Sequence, residues 1–337
     1  MIEIKKILVA TDFSEGAEQA YPVAQKLAST FGSKVDFIHV IPTIKYLNES
    51  IKKIGVPFDM EKDLYPKVMK ESEHQIEKAL NTFIREENTG EYFVKIDRKP
   101  SDTIVKHAME NDYDLIIMGT RGRDLTEMFR GTTAEKVIRS SKVPVFSVDA
   151  SFNENEVRNI VVPTDTSAVS FAAFPLAVAL ASVYNSEITL FHVLELYGSI
   201  SENIPRKPDK DEKYTIYESL IQRLNDYLSD AEIDSIHIQN TETDFEDQVV
   251  VTEEGETITI PLHTNIVKGV SAHIEIENFA SEEADLVVIA THGYSGFSHL
   301  ILGSTAEKVA ENVEKPVVTI RPDKDQLKSR KHLEEEA

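Results

Sequence analysis

The sequence predicts an α/β protein made of two tandem, doubly wound, mostly parallel five-stranded sheets. Three observations carry that prediction. Short apolar runs, such as Leu286 to Ala290 (LVVIA), alternate with stretches of helical periodicity, the pattern of a parallel sheet with right-handed crossovers. The second half repeats the first: Asp12 and Asp165, Ser14 and Ser167, Pro22 and Pro175, and Val40 and Val193 are each 153 apart. Ser101 and Ser271 are 170 apart, Gly122 and Gly293 171, and Gly131 and Gly303, like Pro144 and Pro316, 172. Finally, each half has one apolar run ending in Thr-Asp and another running into a glycine turn before a helix.

Taken in order, Lys6 to Ala10 is the first strand. Ser14 can cap a helix whose Ala17, Ala20, Tyr21, Ala24, Leu27 and Ala28 share one face. Pro22 and its twin Pro175 lie inside that helix in the two halves, and a kink or loosened turn is expected there. Val35 to Val40 is strand two, and Met60 to Arg85 a long helix with Met69, Ile76, Leu80 and Phe83 facing inward. Tyr92 to Ile96 is strand three, Ser101 caps a short helix, and Leu115 to Met118 and Pro144 to Val148 complete the sheet. The capping-box spacings Thr132-x-x-Glu135 and Ser304-x-x-Glu307 mark the start of the last helix in each half.

The domains span residues 1–150 and 157–324, with a polar tail at 325–337. The polar stretch Ala150 to Arg158 forms the boundary. The second copy gained about 17 residues, and its insertion at about 239–263 reads as a β-hairpin around Glu253-Glu254-Gly255.

The formal net charge of −22 disfavours nucleic acid, which needs a basic face. Without cysteine, disulfides and thiolate chemistry are excluded. No apolar run is long enough to span a bilayer, and the N-terminus enters a strand directly, so a cytoplasmic protein with no membrane partner is expected. His237, His263 and His273 have no metal-ligand spacing. Neither a Walker motif nor a dinucleotide fingerprint occurs.

On a sheet of order 3-2-1-4-5, ligands sit at the carboxyl ends of strands one and four. There a glycine turn and a helix N-terminus offer main-chain amides to an anion. These features together resemble the universal stress protein family in its tandem form, across nearly the whole chain except the inserted hairpin and the tail. The resemblance implies an adenine nucleotide alpha hydrolase-like fold. The family's Gly-x2-Gly-x9-Gly-Ser/Thr pattern is matched by Ala290-x2-Gly293-x9-Gly303-Ser304, and by Gly119-x2-Gly122-x8-Gly131-Thr132, one residue shorter.

From the same resemblance, the strand-one ends Ala10-Thr11-Asp12 and Pro163-Thr164-Asp165 and the strand-two valines Val40 and Val193 hold the nucleoside. Gly119, Gly122, Gly131, Thr132 and Thr133, with Arg121, meet the phosphates in one half. Ala290, Gly293, Gly303, Ser304 and Thr305, with His292, do so in the other. His39 and His192 read as packing residues. The implied ligand is ATP, or AMP or ADP, with Mg2+ as an optional companion. The expected role is regulatory stress response through an unidentified protein partner, with slow hydrolysis the most that catalysis amounts to. A nucleotide-free interaction module is the alternative. The resemblance further implies an intrachain pseudo-dimer through Val145 to Val148 and Val317 to Ile320, with a homodimer as a further option.

Overall fold

A computed structural model of the protein describes residues 3–43, 59–120, 132–149, 152–196, 208–241, 243, 245–253, 255–291 and 303–322. The chain divides into two compact units at the boundary between Ala150 and Ser151.

In the first unit, β1 (Lys6–Ala10) lies between β2 (Lys34–Pro42) and β4 (Leu115–Gly119), with β3 (Thr89–Asp97) outside β2 and β5 (Val145–Val148) outside β4. Every pairing in it is parallel. The order 3-2-1-4-5 leaves the carboxyl ends of β1 and β4 as the switch point. Ile7, Leu8 and Val9 are fully buried, as a central parallel strand covered on both faces requires.

The helix after β1 comes in two pieces, α1 (Glu15–Glu18) and α2 (Ala20–Phe31). Pro22 has no N–H to give the Glu18 carbonyl, and α1 ends at Glu18. The second unit repeats this: α6 (Ala168–Phe171) ends at the residue four before Pro175, and α7 (Phe174–Tyr184) follows. Both main helices close on a left-handed residue, Gly32 at φ 69° and Asn185 at φ 56°. A π turn, Met60–Leu64, leads into α3 (Tyr65–Phe83). Ile76 and Leu80 face the core as expected, whereas Phe83 is 39% exposed, near the C-terminus of α3, with its ring edge on Tyr21.

Helix α4 (Pro100–Glu110) starts two residues earlier than a cap at Ser101 would place it. Its cap is Lys99, and Ser101 lies buried inside the first turn. A proline favours the first helical position, because its missing N–H would have no partner there anyway. Helix α5 (Thr132–Ser140) begins at Thr132.

The second unit holds β6 (Asn159–Thr164), β7 (Glu187–Glu195), β8 (Ile236–Asn240), β9 (Glu246–Glu253), β10 (Glu256–Gly269), β11 (Leu286–Ala290) and β12 (Val317–Ile320). Its order is β12-β11-β6-β7-β10-β9-β8. Within it, β10-β7-β6-β11-β12 is the same 3-2-1-4-5 arrangement. The hairpin is present, and its second arm is continuous with strand three: β10 pairs antiparallel with β9 and parallel with β7. The insertion therefore widens the sheet to seven strands, with β8 antiparallel on β9.

Helix α8 (Lys210–Asp230) is capped by Asp209, which accepts from the Glu212 amide at 2.8 Å. Helices α9 (Ala272–Glu283) and α10 (Ser304–Asn312) contribute Ile276, Ala280, Ala306 and Val309 to a core with Val161, Phe191 and Val287. Among the described residues no helix is long and apolar enough to cross a membrane.

The duplication extends to contacts. The Lys5 and Lys6 amides donate to Asp114 Oδ2, and those of Arg158 and Asn159 to Asp285 Oδ2. Ser33 Oγ donates to the Ile4 carbonyl and its twin Ser186 to that of Val157.

Candidate functional site

Each unit has a cavity at its switch point. The turn after β1 is built by its own side chains. Thr11 Oγ1 accepts from the Phe13 amide at 3.0 Å, and Asp12 Oδ1 accepts from the amide and the hydroxyl of Ser14. Ser14 Oγ in turn accepts from the Ala17 amide, capping α1. Phe13 is held at φ 60°, a conformation costly for a residue with a side chain, and its ring packs on His39. The second unit repeats the geometry with Thr164, Asp165, Ser167 and Ser170, and Thr166 at φ 64°.

Thr11 Oγ1 also lies 2.6 Å from Tyr21 Oη, whose pKa burial pushes up to about 12, so the phenol stays neutral. In the second unit the Ser170 hydroxyl takes that place at 2.8 Å. His39 Nδ1 lies 2.8 Å from the Thr11 carbonyl, and His192 Nδ1 2.8 Å from that of Thr164. A carbonyl only accepts, so Nδ1 carries the proton and each imidazole ties the end of strand two to the end of strand one.

In the second unit, Pro163, Thr164, Asp165, Val193, Ala290, Gly303, Ser304 and Thr305 line one cavity of about 440 Å3. In the first, Ala10, Thr11, Asp12, Val40, Gly119 and Thr133 line one of about 510 Å3. His292, Gly293, Arg121, Gly122 and Gly131 lie outside the described residues, as does the side chain of Thr132.

Gly303, not Ser304, is the cap residue of α10. The Gly303 amide donates to the Thr291 carbonyl at 2.6 Å, and the Gly303 carbonyl accepts from Glu307. The first-turn amides of Ser304, Thr305 and Ala306 thus have no intrahelical acceptor and no side-chain cap, while their residues wall the cavity. These donors fit an anion, and the dipole of α10 adds to the attraction. Gly303 sits at φ −60°, so it is not there for left-handed backbone.

The same is true of the strand-four ends, because neither Gly119 nor Ala290 has positive φ. The glycine at 119 answers to packing: a Cβ there would lie 2.8 Å from Ala17 Cα. Ala290 stands at the end of β11 with α6 alongside and lines the cavity with its methyl group in place.

The cavity walls also include residues that sequence reasoning missed. Strand two runs on past its valine, bringing Ile41 and Pro42 into one cavity and Leu194 and Glu195 into the other. The first turns of α4 and α9 add Pro100, Ile104, Ala272 and Ile276. All of these but Glu195 are apolar and read equally as core, and Glu195 has no motif around it, so position in the fold is the only signal. Among the described residues no group of three His, Asp or Glu side chains is placed to hold a metal ion.

Comparison with known proteins follows the same division. The Universal stress protein family profile matches residues 3–149 and again 156–321. A universal stress protein of Synechocystis is 21% identical over 337 aligned residues, covering 94% of this chain and all of its own. One from Methanocaldococcus jannaschii is 30% identical over 162 residues, covering 43% of this chain and 94% of its own. The crystal structure of a universal stress protein from Archaeoglobus fulgidus superposes with a TM-score of 0.55 at 20% identity, over 95% of this chain and 99% of that one, a likeness of fold.

Proposed function

Since the chain belongs to the universal stress protein family, we propose that its two cavities bind an adenine nucleotide, ATP foremost, and that this cytoplasmic protein is regulatory rather than catalytic. One observation carries the reading. In the second unit Asp165, Val193 and the uncapped first turn of α10 converge on a single cavity of about 440 Å3. That volume falls within the roughly 300–1,000 Å3 of small-molecule sites.

The parts fit the ligand's chemistry. Amides of Ser304 and Thr305 suit phosphate oxygens, Asp165 suits a ribose hydroxyl, and Val193 suits a purine face or edge. The first unit offers the same set with Asp12, Val40 and Thr133. Mg2+ belongs to this reading as a companion of the phosphates, since it is commonly held by one or two carboxylates plus phosphate oxygens. The imidazoles of His39 and His192 each commit Nδ1–H to a backbone carbonyl.

Isothermal titration of ATP into the intact chain tests the proposal. Saturable binding below millimolar concentration is expected, and no heat of binding at millimolar ATP would leave the interaction-module reading instead. A phosphate-release assay with Mg2+ and ATP is expected to show no turnover beyond slow hydrolysis.

A further inference from the structure

The two cavities differ at the end of strand two. In the first unit the position two residues past the valine is Pro42, which offers no side-chain acceptor. In the second it is Glu195, a half-buried carboxylate on the cavity wall. Glu195 Oε1 accepts from the Ala272 amide at 2.7 Å, which fixes the carboxylate at the N-terminus of α9. A carboxylate can accept several hydrogen bonds at once.

The order of the strands says which part of a nucleotide this end meets. The amides of α10 follow β11, Asp165 ends β6, and Glu195 ends β7. With strands ~4.8 Å apart, Glu195 lies two strands, on the order of 10 Å, from the phosphate end. Phosphate, ribose and base then fall on β11, β6 and β7 in turn.

We propose that Glu195 is a specificity-determining residue of the second cavity, where its carboxylate accepts a hydrogen bond from the exocyclic amine of the base. The site then favours a 6-amino purine over a 6-oxo purine, whose carbonyl oxygen would face the carboxylate. The first cavity, with Pro42 in that place, does not make this distinction. The inference rests on the nucleotide reading above, and its test separates the two.

The chain has no tryptophan. Leu194, half-buried on the wall of the second cavity beside Glu195, can therefore become a fluorophore local to that cavity as Leu194→Trp. In that full-length background, ATP, inosine triphosphate and 2′-deoxy-ATP are titrated with and without Glu195→Gln.

The expected result is about a tenfold preference for ATP over inosine triphosphate, the scale of one hydrogen bond to a charged group. It should shrink toward unity or reverse in Glu195→Gln, because the amide can donate to a 6-oxo group, and 2′-deoxy-ATP should follow ATP. A preference that survives Glu195→Gln overturns the assignment. So does an equal loss of affinity for all three nucleotides, which would make Glu195 a wall residue only. A loss specific to 2′-deoxy-ATP would also overturn it, moving the contact to the ribose. Absence of any fluorescence change with all three, alongside null calorimetry, would instead remove the nucleotide reading itself.

Discussion

A Cβ added to Gly119 would stand 2.2 Å from the carbonyl oxygen of Gly16. Strand β4 and helix α1 meet there backbone to backbone, and neither side has a flexible group that can yield. The first glycine of the loop pattern is thus fixed by packing under α1. Gly119→Ala is expected to displace α1 and cost about 1–3 kcal/mol, the usual range for overpacking. Because α1 carries the cap Ser14 that Asp12 bonds, the first cavity should weaken with it. The reverse change, Ala290→Gly, is expected to cost no more than ~1 kcal/mol, from backbone entropy and one lost methyl. Thermal unfolding of the two variants checks the contrast, and equal losses would contradict it.

Gly303 is an ordinary extended residue at φ −60° and ψ 137°, a conformation that a β-branched side chain also adopts. Gly303→Val should therefore keep the fold while placing two methyl groups at the mouth of the α10 amides. Loss of nucleotide binding in the second cavity is the expected outcome, with the fold kept and the melting temperature lowered only by the weaker cap of α10. Unchanged affinity would move the site elsewhere.

His107 gives the first unit a built-in pH dependence. It is buried on α4, where Lys95 Nζ donates to its Nδ1 at 2.9 Å, so the ring is neutral and its Nε2 has no hydrogen-bond partner. Burial first, and then the Lys95 ammonium, pull its pKa down to about 4. An unfolded histidine titrates near ~6.5. As pH falls through that value, the unfolded chain takes a proton the fold refuses, and stability drops until the folded group titrates near 4. In urea unfolding, His107→Gln should flatten the stability profile across that window relative to the unaltered chain. Parallel profiles would reject this account.

Asp247 has the opposite sense. It is 3% exposed on β9 and accepts from Tyr217 Oη through both oxygens, at 2.8 and 2.9 Å. Burial raises its pKa, against the lowering by the Tyr217 hydroxyl. A carboxyl whose folded pKa is raised is less favourable to the fold above the unfolded value, where it must carry charge. Asp247→Asn keeps an acceptor for Tyr217 without that charge, and stability at neutral pH should hold or rise. Asp247→Leu should cost about 1–3 kcal/mol by removing the carboxylate that accepts from the buried Tyr217 hydroxyl. Chemical denaturation of the pair decides, and a large loss in Asp247→Asn would show that the charge itself is needed.

Much of this was legible because the chain states it twice. The repeated Thr-Asp, the paired prolines and the AEKV shared by Ala134–Val137 and Ala306–Val309 set the two copies in register, and strand cores such as LVVIA need no partner to be recognised. The two misread caps are of one kind. Ser304 and Ser101 both have the chemistry of a cap, yet Gly303 and Lys99 hold the position. Cap geometry depends on the direction from which the preceding chain arrives, and the residue alone does not carry that. Phe83 has core character but ends up half covered, because it lies near the end of α3 at the margin of Tyr21.

The sequence by itself determined the duplication, the parallel order of strands, and the placing of a carboxylate and a glycine-led helix at each switch point, since all of these follow from local pattern and spacing. Only the tertiary structure decided why Gly119 is glycine, that the inserted hairpin and strand three are one continuous strand, and that Glu195 rather than a proline faces the second cavity. Those outcomes depend on which atoms distant in the chain come within a few ångströms, and closeness of that kind is a property of the packed molecule.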